Sequence, residues 1–283
     1  MDAKMKLEME IYAAKVRIGL LEELEALGFG HVGGSLSIAD LLGVLYGGVM
    51  RVDTADPKWP QRDKLVSSKG HAGPAVYAAL AVKGFFPYED ILTLNQPGTN
   101  FPSHCDMKKT PGVDMTTGSL GQGTSAACGL ALADKLRGYD SRTFLIVGDG
   151  ELNEGQVWEA AMFASAKKLD NIVWCIDVNG KQLDGTTEEI HPVGMIADKF
   201  RAFGFDTHEI NGGDVEEIYN AITAPVVEGK PRALVMHTVK GAGVPEVEQT
   251  AGNHSMNLPK EKWRSFITAM QEKLAALEKE AQA

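Results

Sequence analysis

Residues 143–150 read Thr-Phe-Leu-Ile-Val-Gly-Asp-Gly, and residues 172–180 read Ile-Val-Trp-Cys-Ile-Asp-Val-Asn-Gly. Each is a short, nearly continuous apolar run rich in β-branched and aromatic residues that stops at glycine. That pattern is a strand covered on both faces rather than one half-exposed to water. A third run, Ala233-Leu-Val-Met-His-Thr238, has the same character. Helical spacing fills the gaps, over Val157 to Lys168 between the first two runs and over Val215 to Val227 before the third. Strand alternating with helix predicts an α/β fold, doubly wound, with a mainly parallel sheet and helices on both faces.

Outward from this centre the periodicity is helical. Leu7, Ile11, Ala14, Ile18 and Leu21 recur on one face of a helix from about Met5 to Leu27, with Gly28 and Gly30 ending it. A second helix is expected from Ser37 to Tyr46, capped by Ser37 or Ser35. After the polar connector from Pro57 to Asp63 come a strand-like Leu65-Val-Ser-Ser and a helix over Ala75 to Lys83. The last stretch, from Pro259 to about Ala281, carries Trp263, Phe266, Ile267, Met270, Leu274 and Leu277 on one face. Pro259 suits a first helical turn, and the stripe is read as closing the core rather than meeting a partner. With no internal repeat or linker, residues 1–283 are expected to form one domain.

Composition narrows the function. The 283 residues are 44% hydrophobic and 23% charged, which is ordinary for a globular protein, and the net charge is −10. An acidic chain without a basic face does not suit nucleic acid. No run approaches the roughly 20 apolar residues of a membrane span, and the mixed-charge start does not read as a signal peptide. Cys105, Cys128 and Cys175 form neither a disulfide framework nor a zinc site, which suits a reducing, cytoplasmic setting.

In open parallel sheets ligands sit beyond the carboxyl ends of the strands, so the chemistry is sought after Val147 and Val178. Asp149 follows one strand end between Gly148 and Gly150; Asn179 follows the other, with 28 residues between it and Gly150. A carboxylate and an amide oxygen on neighbouring strand ends are hard ligands suited to Mg2+ or Ca2+. A helix after Gly150 would favour an anion at its N-terminus. Either loop alone is most simply a turn; the two together, each ending a strand, are more specific. Gly121-Gln-Gly-Thr-Ser-Ala126 nominally fits a dinucleotide fingerprint but lacks the strand that must precede one.

Gly148-Asp149-Gly150 followed by Asn179 resembles the thiamine diphosphate signature. In that signature the Asp, the Asn and a carbonyl two residues beyond hold the metal, which implies Asp149, Asn179 and the carbonyl of Lys181. Four other segments resemble transketolase, in that family's order: His31-Val-Gly-Gly-Ser35, Ser67-Ser-Lys-Gly-His71, Pro102-Ser-His104 and Thr116-Thr-Gly-Ser-Leu-Gly-Gln-Gly123. The resemblance implies cofactor contacts from His71, Gly118, Ser119, Leu120, Gly148, Asp149, Gly150, Glu151 and Glu154, with Asn179 among them. It implies a substrate channel with His31, His104 and, less closely matched because Ser255 follows it, His254. Glu159 would join a chain of carboxylates between paired active sites. Histidines suit the proton transfers of ketol chemistry near neutral pH, and Thr116 to Ser119 supply hydroxyls before a helix. His191, His208 and His237 lack such support.

The family also implies what is missing. The carboxylate that activates the aminopyrimidine, and the basic residues that grip the sugar phosphate, come from a second domain for which this chain has no room. A natural subunit is expected, active only with a C-terminal transketolase subunit that carries the pyrimidine-binding domain and its catalytic Glu, the two forming a heterotetramer. The reaction would move a two-carbon ketol unit from a ketose phosphate to an aldose phosphate, with thiamine diphosphate as the electron sink. Two rivals share the metal signature: the α subunit of a 2-oxo acid dehydrogenase, and a non-catalytic relative. The Ser-Lys-Gly-His and Pro-Ser-His segments count against the first, and the intact Asp149, Asn179, His31, His71 and His104 against the second.

Overall fold

A computed structural model describes residues 1–282. Five parallel strands form the central sheet: β1 (Lys64–Ser67), β2 (Thr143–Gly148), β3 (Ile172–Val178), β4 (Asp206–Asn211) and β5 (Arg232–His237), in the spatial order β1-β2-β3-β5-β4. Eight helices account for most of the rest: α1 (Ala3–Leu27), α2 (Ala39–Val44), α3 (Gly73–Lys83), α4 (Gln122–Arg137), α5 (Gly155–Ala166), α6 (Ile196–Ala202), α7 (Val215–Thr223) and α8 (Lys260–Ala281). The doubly wound α/β expectation matches this arrangement.

Alternation along the strands builds two separate cores. Phe144, Ile146, Val173, Cys175, Leu234 and Met236 pack with α1, α3 and α8 on one face of the sheet. Leu145, Val147, Ile172, Trp174, Ile176, Ala233 and Val235 pack with α4, α5 and α6 on the other. Successive side chains of a strand point to opposite faces, so a sheet covered twice demands apolar residues at every position. That is why the strands read as unbroken apolar runs. All three cysteines are buried and free.

The C-terminal helix belongs to the core. Trp263, Phe266, Ile267 and Met270 are buried, and the Trp263 indole donates to the Gly28 carbonyl at 3.3 Å. Burial of side chains of this size stabilises by roughly 1.5–3 kcal/mol each. Gly28 ends α1 at φ 90°, a left-handed conformation that glycine adopts without strain.

Three local expectations are corrected. The helix expected over Ser37 to Tyr46 is divided into Gly33–Leu36, α2 and a π-turn at Leu45–Val49. Neither serine caps it: Ser35 donates to the His31 carbonyl at 2.6 Å and Ser37 to Asp177 at 2.7 Å. Pro259 stands just ahead of α8 rather than inside its first turn. Strand β4 escapes a reading by apolar runs, because an edge strand with no fully buried residue carries the polar sequence Asp206-Thr-His-Glu-Ile-Asn211.

Candidate active site

A parallel sheet delivers all its strand ends to one side. Here the register sets Gly148 beside Asp177, Val178 beside His237, and Ser67 beside Ile146. The loops that leave β1, β2, β3 and β5 therefore open onto one cleft. Its lining includes His31, Gly34, Lys69, His71, His104, Gly118, Leu120, Gly148, Asp149, Gly150, Glu151, Asn179, Lys181, Gln182, Leu183, Lys240 and His254.

Asp149 is 3% exposed. Its carboxylate accepts the N–H of Gly150 at 2.8 Å and that of Gly180 at 2.6 Å, which ties the two loops together. Burial, and then the neighbouring Asp177, push Asp149 up to about 6. A cation beside this carboxylate would oppose both effects. Asn179 Oδ1 accepts the Lys181 N–H at 3.2 Å, and the Lys181 carbonyl accepts from the Lys240 ammonium at 3.1 Å. Carboxylate, amide and carbonyl oxygens thus gather with a cation already drawn to one of them, so the donor set fits a hard metal ion and the diphosphate it would hold. Among the described residues no group of three or more His, Cys, Asp or Glu could hold a metal ion.

Four histidines converge above these oxygens. The ring centroids of His31 lie 5.5 Å from His71, 5.5 Å from His104 and 5.3 Å from His254, and those of His71 and His254 lie 4.8 Å apart. Burial, and then Lys69, lower His71 to about 2; burial, and then Lys240, lower His254 to about 4. His31 and His104 are also lowered, by burial first. The cluster is neutral at pH 7, and each neutral ring can both donate and accept a hydrogen bond. Gly34 and Gly118 pack against it: a Cβ at either would be in van der Waals contact, at 3.4 Å, with the ring of His71 or His104.

Several expected site residues lie elsewhere or act differently. Glu151 reaches the cleft wall, but its carboxylate is bound to Ser68 Oγ, to Gly121 N–H at 2.7 Å and to Gly148 N–H at 3.1 Å. It clamps three site loops together. Ser119 and Glu154 are exposed and do not line the cleft, and Glu159 lines a separate shallow groove between α4 and α5. The hydroxyls of Thr116 and Thr117 turn away, to Asp106 at 3.3 Å and to the Ser67 carbonyl at 2.7 Å. The helix expected over Val157 to Lys168 runs from Gly155 to Ala166, and a 3-10 turn, Gly150–Asn153, separates it from Asp149. No strand precedes Gly121, in keeping with the rejected dinucleotide reading. His191, His208 and His237 are not part of the cleft.

Sequence reasoning missed Lys69, Asp177 and Lys240. Lys69 lies inside the quoted Ser-Lys-Gly-His segment. Asp177 is the one charged residue of an otherwise apolar strand, and its carboxylate takes the Lys69 ammonium at 2.5 Å. Lys240 follows the third apolar run, where the rule about strand ends would have found it had that loop been included. Burial, and then Lys69, lower Lys240 to about 8.

Fold and site together define an α/β module that presents hard oxygen ligands, buried cations and neutral histidines at the carboxyl ends of its strands, as a diphosphate-binding cofactor domain requires. Residues 9–276 match the family model described as transketolase, thiamine diphosphate binding domain. The chain is 47% identical over 270 residues to the 6-deoxy-6-sulfo-D-fructose transketolase subunit SqwG of Clostridium sp. (strain MSTE9), covering 95% of this chain and 98% of that one. It is 38% identical to one subunit of the apulose-4-phosphate transketolase of Phocaeicola vulgatus, covering 96% and 97%. The crystal structure of transketolase from Campylobacter jejuni superposes with a TM-score of 0.84 at 26% identity, over 99% of this chain and 48% of that one. The chain belongs to the transketolase family, in its thiamine diphosphate-binding domain. It spans nearly the whole of the two subunits and about half of the solved transketolase.

Proposed function

We propose that this chain is the diphosphate- and metal-binding subunit of a two-chain transketolase, and that it transfers a ketol unit between sugars only when assembled with the other half. The observation that carries this reading is the convergence of His31, His71, His104 and His254 above Asp149, Asn179 and the Lys181 carbonyl. Two relatives of matching length are named as transketolase subunits. The cleft supports a shared site, because its ≈ 220 Å³ falls below the roughly 300–1,000 Å³ of a complete small-molecule pocket. On this reading residues 1–283 form one domain, and the partner supplies the pyrimidine-binding domain, the activating carboxylate and the grip on the sugar's anionic end. An assembly of two copies of each chain would place two such sites at subunit interfaces.

Asp149, Asn179 and the Lys181 carbonyl would hold Mg2+ or Ca2+, and Lys240 would face the diphosphate. Gly118, Leu120, Gly148, Gly150 and His71 would line the cofactor. Bound thiamine diphosphate supplies the nucleophile and the electron sink for carbon–carbon cleavage. The chain's own part is to orient and to move protons. His31, His104 and His254, neutral and a ring's width apart, are placed to hydrogen-bond substrate hydroxyls and carbonyls and to exchange protons with them. Ser119, Glu154 and Glu159 are exposed outside the cleft lining and open to a partner chain.

The test is ketol transfer to ribose 5-phosphate with thiamine diphosphate and Mg2+, by this chain alone and by the mixture with its partner subunit. Donors are 6-deoxy-6-sulfo-D-fructose first, on the 47% identity to SqwG, then apulose 4-phosphate and xylulose 5-phosphate. Activity only in the mixture is the expected result. No transfer from any donor by a mixture that binds cofactor would overturn the reading.

A further inference from the structure

We propose that Asp177 is a positioning residue that decides which atom of Asn179 faces the metal; the inference rests on the reading that Asn179 is a metal ligand. Asp177 is 0% exposed and gathers donors from four segments of the chain. Its carboxylate takes the Lys69 ammonium at 2.5 Å, the Ser37 hydroxyl at 2.7 Å, the Asn179 amide at 2.9 Å and the Thr238 hydroxyl. An ammonium, two hydroxyls and an amide NH2 converge on its two oxygens, so the carboxylate is the acceptor in each of these contacts.

An ionised carboxylate accepts hydrogen bonds and donates none. Asn179 can therefore face Asp177 only with its NH2 group. Turned over, its carbonyl oxygen would lie against a carboxylate oxygen at the 2.9 Å the NH2 now occupies, and two acceptors repel at that distance. The amide oxygen is thus directed to the opposite side, where it accepts the Lys181 N–H at 3.2 Å and keeps a second lone pair for a cation. Without Asp177, Asn179 could present either end of its amide, and an NH2 group cannot ligate a metal.

Lys69 takes its place in the same arrangement. Its three N–H donors are matched by Asp177, the Gly34 carbonyl at 2.8 Å and Ser37 Oγ at 3.4 Å. With its three donors matched in this way, the ammonium is committed to Asp177 and to the loop at Gly34. Supporting partners of metal ligands commonly contribute 10–100-fold in affinity by holding the ligand's orientation.

The experiment titrates Mn2+ into the complete complex with saturating thiamine diphosphate and reads bound metal by electron paramagnetic resonance, independently of turnover. Asp177→Asn is expected to weaken Mn2+ about 10–100-fold. Ser37→Ala and Thr238→Val, which remove donors from the same carboxylate without touching Asn179, leave Mn2+ affinity unchanged. The exchanged pair Asp177→Asn with Asn179→Asp restores a donor facing an acceptor, and binds Mn2+ more tightly than either single variant. Where Asp177→Asn does not fold, Lys69→Met with Asp177→Asn removes both buried charges and is read in its place. Wild-type Mn2+ affinity in the Asp177 variants, with Asn179→Ala weakened, would overturn the positioning role and leave the metal site standing. Unchanged affinity in Asn179→Ala would instead overturn the ligand assignment beneath it.

Discussion

Gly180 donates its backbone N–H to the Asp149 carboxylate at 2.6 Å, joining the loop after β3 to the first residue beyond β2. The carboxylate thereby anchors the loop that carries Asn179 and Lys181 while it faces the cleft itself. Asp149→Ala removes the proposed metal ligand and that anchor together. Thiamine diphosphate affinity of the complete complex, measured by calorimetry, is expected to fall by more than about 100-fold, beyond the range for a residue that only supports a ligand. Unchanged affinity would remove Asp149 from the site.

Lys240 reaches the Lys181 carbonyl at 3.1 Å and the Gln182 carbonyl at 3.4 Å. A charge-assisted hydrogen bond to a phosphate contributes about 1.5–3 kcal/mol, so Lys240→Met is expected to weaken cofactor binding about 10–100-fold. The loss should shrink as salt is added. Equal loss at every ionic strength would mean that Lys240 organises the loop rather than meeting the anion.

Glu151 is buried, and its three donors come from the loops at Ser68, Gly121 and Gly148. Glu151→Gln sets an NH2 group against at least one of those donors. The folded chain is expected to lose about 1–3 kcal/mol in chemical denaturation, even without cofactor. A variant as stable as the wild type but unable to bind cofactor would show that Glu151 touches the ligand after all.

Gly70 brings the Ser-Lys-Gly-His loop against the Thr-Thr-Gly-Ser loop. A Cβ there would lie 2.7 Å from the carbonyl carbon of Thr117 and 2.8 Å from the Gly118 nitrogen, both backbone atoms. Gly70→Ala is expected to cost about 1–3 kcal/mol and to displace Gly118 from the cleft, with a lower melting temperature and weaker cofactor binding.

His71 carries a pH signature. Its pKa in the folded chain is about 2, whereas the unfolded chain takes up a proton below about 6.5. Its contribution to stability is therefore complete above pH 6.5 and declines as pH falls toward 2. Between pH 7.5 and 5.5 the cofactor-free chain should lose up to about 1.4 kcal/mol through this group. Carboxyls raised by burial, such as Glu151, act with the opposite sign, so the quantity to read is the difference between wild type and His71→Gln. Parallel pH profiles would mean that His71 takes up its proton as readily in the folded chain as in the unfolded one.

Much of the sheet could be read in advance, because β2, β3 and β5 are buried on both faces and burial leaves a local apolar signature. Strand β4 could not, since its alternating half-exposed positions resemble a polar loop. Ser37 shows the same limit at the site. A serine ahead of an apolar run is locally a cap, yet its hydroxyl goes to Asp177, far away in the chain. Glu151, a cofactor contact by resemblance, also joins the loops at Ser68, Gly121 and Gly148, and that clamp exists only once the three loops pack.

By itself the sequence determined the α/β order, the strand ends that carry Asp149 and Asn179, and the segments that bear His31, His71 and His104. The order and the strand ends follow from periodicity and residue type over a few neighbours, and the histidine segments from their resemblance to transketolase; both are local signals. The tertiary structure decided the remainder: that the four histidines meet, that Lys69 turns to Asp177 rather than to the open cleft, and that Lys240 reaches the Lys181 carbonyl. A buried charge takes the compensating partner that packing brings within reach, and packing joins residues whose separation along the chain carries no local signal.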